Sequence, residues 1–356
     1  MKQCTVAALA LAVSGMAAGV VNAHHSAAAA FTTNIIEVEG TVTDFNFTNP
    51  HIEVFFDVVG EDGEVTEWRA SGSAANLMRR RGWTAQTVQP GQYMRISGRE
   101  ARNGVPMVLL GNMSEVDPAD GFLVRVVEGE SDYVEPVGAA PLALTLDDGR
   151  PNFTGAWTMG PGGGMAAGGM GMGGGPGDRT PPPYNEAGTT AAAVFDPVSD
   201  PVVACEPPGL VRQAAFTPHP VRMTQLDDRI ILEYEEYGGR REILLDAPLP
   251  GDVEHTHLGY STARYEGDTL VIESGGLLEN YTSPNGNPVS NQTTTIETFR
   301  RMDDPDIGAA LALETIITDP VYLTGPWTLR WLKYYTPDYE FIPVDCRVPP
   351  VYQPPG

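Results

Sequence analysis

Six histidines, at positions 24, 25, 51, 219, 255 and 257, are the residues of this chain best suited to chemistry. Cleavage after Val21-Asn22-Ala23 would make His24 the first residue of the mature chain. An N-terminal histidine chelates through its α-amino nitrogen and its ring Nδ1. A third nitrogen from His51 would complete a brace of the kind that favours copper, the metal at the top of the divalent affinity order. His25 is an adjacent further donor. The competing reading leaves His24 and His25 as a terminus without a ligand and packs His51 into the turn after Pro50. Met165, Met170 and Met172 are soft thioethers suited to Cu(I). His255 and His257, two apart, would share one face of a strand, and with Glu254 they form a second metal candidate. The same three residues also read as a loop rim after Leu249-Pro250-Gly251-Asp252. His219, between Pro218 and Pro220, reads as structural.

Other chemistries find less support. Gly259-Tyr260-Ser261 lacks the Gly-x-Ser-x-Gly elbow, and no His-Glu-x-x-His, phosphate loop or dinucleotide fingerprint occurs. Catalytic residues are therefore not assigned. A proton-transfer set inside a barrel would draw on Glu235, Tyr260 and Glu273, if those three face inward.

Charge and cysteine content narrow the setting. The chain carries 22 Lys and Arg against 46 Asp and Glu, a formal charge of −24, which repels phosphate backbones and excludes nucleic acid as a partner. Lys2, the apolar run Val6 to Val21 and the Val21-Asn22-Ala23 site read as a cleavable secretory signal over residues 1–23, with a competing cut after Ala30. The apolar run is short for a membrane span, so no stable membrane insertion is expected after cleavage. The expected location is the periplasm or the exterior. Of three cysteines, Cys4 leaves with the signal; Cys205 and Cys346 are expected to form a disulfide in an oxidising compartment.

The elements that position these residues are strands. Residues 38–47, 52–59, 65–70, 93–100 and 107–116 alternate or run apolar, and a short helix over 73–82, capped by Ser73, falls between the third and fourth. Three strands, a helix and two strands is the pattern of an OB-like five-stranded barrel. Beyond Cys205, eight candidate strands joined by tight turns predict an up-and-down antiparallel, lipocalin-like barrel. The fold class is thus all-β. The expected division is an OB-like domain over 24–118, a connecting segment over 119–152, and a second barrel over 153–356 containing a Gly/Met-rich linker at 160–183. Phe153-Thr154-Gly155-Ala156-Trp157 is its candidate opening strand.

The His24-His25-Ser26 start, Thr48-Asn49-Pro50-His51 and Leu77-Met78-Arg79-Arg80-Arg81-Gly82-Trp83 together resemble a family of small bacterial periplasmic proteins of unknown function. Cys205-Glu206-Pro207-Pro208-Gly209, Phe216-Thr217-Pro218-His219-Pro220, Gly259-Tyr260-Ser261 and the run from Tyr265 to Val271 resemble a second uncharacterised secreted domain that often begins with a Gly-x-Trp strand. Neither resemblance implies an activity. The expected function is metal or small-ligand binding, with copper as the candidate cofactor. The alternatives are a carrier of apolar molecules or an enzyme using the C-terminal barrel, and an envelope scaffold.

Overall fold

Period-two alternation dominates the chain, and it delivers two barrels. The structure, a computed structural model, describes residues 30–127, 142–158, 181–196, 199–215, 220–251, 253–282, 286–304 and 308–348. The signal segment, His24, His25, His219, Met165, Met170 and Met172 lie outside these residues. No helix among the described residues is long and apolar enough to cross a membrane.

In the first barrel, β1 (Phe31–Asn46), β2 (Glu53–Val59) and β3 (Val65–Ser71) precede helix α1 (Ala75–Arg79), then β4 (Tyr93–Ala101) and β5 (Met107–Val116). The long β1 pairs with both β2 and β4, Thr41 lying opposite Asp57 and Tyr93. A parallel pairing of β3 with β5, Ser71 opposite Leu109, closes the ring. A further strand, β6 (Leu123–Val126), extends β5 within the segment expected to be only a connector. Val42, Val54, Phe56, Met94, Ile96 and Val108 fill the interior, and Met78 and Trp83 close it from the helical segment. The helix is shorter than expected, and Ser73 does not cap it. Its N-cap is Ala74, which has no side-chain bond, and the Asn76 N–H instead points at Asn49 Oδ1 at 3.4 Å.

The second barrel has nine strands. They are β7 (Gly155–Thr158), β8 (Val221–Gln225), β9 (Arg229–Tyr234), β10 (Arg240–Leu245), β11 (Tyr260–Glu266), β12 (Thr269–Gly275), β15 (Thr294–Asp304), β16 (Gly308–Thr318) and β17 (Trp327–Tyr335); between β12 and β15 lies a small hairpin of β13 (Asn280–Tyr281) and β14 (Pro288–Val289). Strict alternation of direction cannot close an odd ring, so one pair must run parallel. That pair is β10 with β11, joined by the long loop before Gly259. The extra strand is the Gly155-Ala156-Trp157 segment, which joins β17 to β8. Glycine is needed there: Gly155 has φ +118°, and a Cβ would sit 2.5 Å from the Tyr335 ring.

Two helices lie outside the barrel wall, α2 (Glu186–Ala193) and α3 (Leu210–Ala215). Apolar side chains, among them Trp157, Met223, Leu232, Ile272, Phe299, Leu313 and Leu329, fill most of the interior. This dense packing weighs against a carrier of large apolar ligands. One end is covered by α3, whose Leu210 N–H donates to the His257 carbonyl at 2.8 Å and whose Leu210, Val211 and Ala214 join the core. The opposite end is closed by residues 142–153, with Arg301 donating to the carbonyls of Leu142, Ala143 and Asn152. Cys205 and Cys346 are disulfide-bonded, Cα to Cα 5.7 Å.

Candidate functional site at the polar end of the second barrel

Inside a barrel, every second residue of each strand faces the core. Register therefore fixes which polar residues are buried together. Ser261, Ser274 and Thr295 lie opposite one another on β11, β12 and β15, and Glu297 lies opposite Thr315 one level deeper. All except Ser261 are almost wholly buried. From β10, Arg241 reaches into this group. Its Nη1 donates to the Tyr234 hydroxyl at 2.8 Å, and its Nη2 donates to Ser261 Oγ at 2.8 Å and Ser274 Oγ at 2.9 Å. The same Nη2 forms an ion pair with Glu297 Oε2 at 2.8 Å, out of line for a hydrogen bond. Burial works against the Arg241 charge, but the Glu297 carboxylate and the Tyr234 hydroxyl outweigh it and hold the guanidinium protonated. Burial also pushes the Tyr234 phenol up to about 12, so it stays neutral.

The group does not satisfy itself. Arg241 Nε, Glu297 Oε1, Thr295 Oγ1, Thr315 Oγ1 and, one level further in, Trp331 Nε1 are buried with no hydrogen-bond partner among the described residues. Such atoms normally pair with protein, water or ligand, and each one left bare costs about 1–3 kcal/mol. One carboxylate acceptor, a guanidinium N–H, two hydroxyls and an indole donor thus converge from neighbouring strands. Deeper still, on the inward face of β17, burial and the nearby Arg80 guanidinium lower the Lys333 amine to about 7.

The expected inward set of Glu235, Tyr260 and Glu273 is corrected here. Glu273 lies on the outer wall, where Arg264 Nη1 donates to it at 2.5 Å. The residues facing inward are its neighbour Ser274 and, on β11, Ser261 in place of Tyr260. Glu235 follows the last residue of β9 and is buried outside the barrel, against the first domain. Glu254, His255 and His257 belong to the loop ahead of β11 and not to a strand. No group of three His, Cys, Asp or Glu side chains among the described residues is arranged to hold a metal. His257 instead anchors α3 through its carbonyl.

At the first barrel, His51 sits in the turn between β1 and β2, after a cis Asn49–Pro50 peptide. Its Nδ1 lies 2.9 Å from the Gly72 carbonyl oxygen and therefore carries the hydrogen. Gly72 has no side chain because a Cβ there would meet Ile52 Cγ1 at 2.6 Å. In this tautomer Nε2 is the lone-pair nitrogen, the arrangement usual for a metal-binding imidazole.

The fold and these sites define a two-barrel β protein with a buried polar cluster in its second barrel. Residues 11–109 match the model of a family of unknown function (DUF6152), which spans the first barrel as far as the start of β5. No curated protein matches the chain.

Proposed function

We propose that the protein binds a small, polar, hydrogen-bond-donating molecule, such as a polyol or an amine, at the α3 end of the second barrel. The observation that carries this reading is the Glu297 carboxylate, 1% exposed, whose Oε1 has no hydrogen-bond partner among the described residues while Arg241 compensates its charge. A buried ion pair is a poor device for stability, since a well-packed apolar pair of similar volume serves as well or better. Its presence among leftover hydroxyls fits recognition. The ligand donates to Glu297, exchanges hydrogen bonds with Thr295 and Thr315, and accepts from Trp331.

The test is calorimetric melting of the second barrel with a panel of small polyols and amines at millimolar concentration. A ligand that binds the native state raises the transition by mass action. The Glu297→Gln variant should lose that rise while remaining folded. No shift with any member of the panel, together with a crystal structure showing only water around Glu297, would sink the reading.

A second reading, copper held by His24 and His51, is favoured by the tautomer of His51. Chain reach supports it. The Ala30 carbonyl accepts from the Arg102 N–H at the β4–β5 turn, β5 pairs with β3, and β3 leads to Gly72 and His51. Three strand spacings, about 14 Å around the wall, and about 10 Å along β3 make a diagonal of about 17 Å. The six residues before Ala30 reach about 20 Å when extended. Native mass spectrometry of periplasmically matured protein with one equivalent of Cu(II) decides it. One retained copper on a chain beginning at His24, lost in His51→Ala, is the expected result. Unchanged retention in the variant removes His51 as a ligand.

A further inference from the structure

The two barrels are joined by a strap, and the strap and plug α3 share one covalent anchor. After β17, residues 339–345 run along the first barrel. The Asn49 N–H donates to the Pro343 carbonyl at 3.0 Å, and the Asp345 N–H donates to the Asn49 carbonyl at 2.8 Å, so Asn49 and Val344 pair as parallel strands. Ile342 enters the core of the first barrel. Arg79 at the end of α1 stacks on the Tyr339 ring at 4.3 Å and donates to the Glu340 carbonyl at 3.1 Å.

Between the barrels sits Glu235. Its carboxylate accepts from Asn76 Nδ2 at 2.8 Å, the Tyr339 hydroxyl at 3.0 Å and the Ile342 N–H at 2.7 Å. The Thr48-Asn49-Pro50-His51 turn and the Leu77-to-Trp83 segment, the most distinctive sequence features of the first barrel, thus flank a docked peptide.

One residue beyond Asp345, Cys346 is bonded to Cys205. Cys205 ends a short 3-10 turn, Pro201–Ala204, and Gly209 begins the approach to α3. This segment is pinned to α3 by a buried pair, Arg212 Nη1 lying 2.9 Å from both Asp200 oxygens. The disulfide therefore ties the strap on one barrel to the segment carrying the plug of the other.

We propose that the Asn49–α1 face of the first barrel is a peptide-docking surface filled by the chain's own residues 339–345, and that the Cys205–Cys346 disulfide is a redox latch holding strap and plug α3 together. The role given to the plug rests on the ligand reading above; the docking surface does not. A dithiol opens the latch by giving two electrons and two protons to the disulfide, leaving two thiols and becoming a disulfide itself. Without the latch, the strap is held by its backbone pairing with Asn49, the Glu235 and Arg79 contacts and the buried Ile342, and the short α3 by Leu210, Val211 and Ala214 in the barrel core, the Leu210–His257 and Gln213–Glu236 hydrogen bonds and the Asp200–Arg212 pair.

Hydrogen exchange read by mass spectrometry on the full chain, without added ligand, tests this. Replacing both cysteines by serine should speed exchange in 339–345, 46–52 and 210–215 by roughly tenfold or more, with β4, β12 and β16 unchanged. If that variant does not fold, reducing the folded parent gives the same reading, and reoxidation must restore protection. Unchanged exchange in the strap overturns the latch. Simultaneous loss of protection across both barrels also overturns it, by making the disulfide a general staple. Because no ligand is present, failure of the ligand panel leaves this result standing, and failure here leaves the panel standing.

Discussion

Arg241→Met is the most informative single change, because the structure fixes what it leaves behind. The guanidinium is buried and serves Tyr234, Ser261, Ser274 and Glu297 at once. Removing it strands a carboxylate that is 1% exposed. Breaking a buried pair from one side costs about 3–5 kcal/mol, chiefly the penalty of the uncompensated charge. For a barrel of roughly 200 residues each kcal/mol moves the midpoint by about 2–4 °C, so the second-barrel transition should fall by about 6–20 °C. Changing Glu297→Met in the same chain removes the stranded charge and should recover most of that loss, a coupling of about 2–4 kcal/mol. Differential scanning calorimetry of the two single variants, the double variant and the parent closes the cycle. A double variant no better than Arg241→Met would refute charge compensation as the pair's role. A neutral Arg241→Met would refute the account of the whole cluster.

Lys333 has its amine lowered to about 7, so the folded chain releases a proton that the unfolded chain keeps up to the ordinary lysine range. The unfolded state binds more protons in that window, and stability should rise as pH increases from about 7 to about 10, a slope that Lys333→Met removes in urea titrations at several pH values. Asp319 is the reverse case. Burial raises its carboxyl, but donors at Ser290 N, Ser290 Oγ, Val321 N and Tyr322 N win and lower it. Stability from Asp319 is therefore present above the usual aspartate range and lost as pH falls through the depressed value. Asp319→Ala should cost about 2–4 kcal/mol at neutral pH and flatten the acid limb of the stability profile. Glu235→Gln, by contrast, removes a carboxyl that burial raises, so its cost at neutral pH should be smaller than that of Asn76→Ala plus Tyr339→Phe, read by the same melts.

The strands of both barrels were legible because alternation survives in each of them, and the Gly-x-Trp segment was legible as an opening strand because glycine and tryptophan each have one use there. The closure of nine strands was not. The parallel β10–β11 pair depends on a loop whose sequence carries no direction signal. The phase of β12 was also ambiguous, since Leu270, Val271 and Ile272 are apolar in succession and all three are buried. A shift of one position exchanges Glu273 for Ser274, and with it an outer-wall carboxylate for a member of the polar cluster. The in-phase run Leu270-x-Ile272-x-Ser274, set against Thr295-x-Glu297-x-Phe299, was the signal available: polar residues in the apolar phase of neighbouring strands. The cap of α1 was misread for a different reason. Ser73 has the right type and place, but its carbonyl is taken by the Ile52 N–H in the strand-like closure of the turn, and Asn49 faces the helix instead.

The same alternation explains how the two candidate sites come to be adjacent. At the end of β9, Tyr234 faces inward and bonds Arg241, while the next residue, Glu235, faces outward and gathers Asn76, Tyr339 and Ile342. Consecutive side chains of a strand point to opposite faces, so a single peptide unit carries one contact of the polar cluster and the central acceptor of the strap. Directly after it, the Glu236 carbonyl accepts from Gln213 of α3 at 2.5 Å. Three successive residues therefore touch the barrel interior, the docked strap and the plug. Any displacement of the strap that moves Glu235 also moves the backbone holding Tyr234 and the carbonyl holding Gln213. This is a short, contiguous set of contacts by which docking at the first barrel and occupancy of the second can bias one another, and a reciprocal effect on affinity is required if either does.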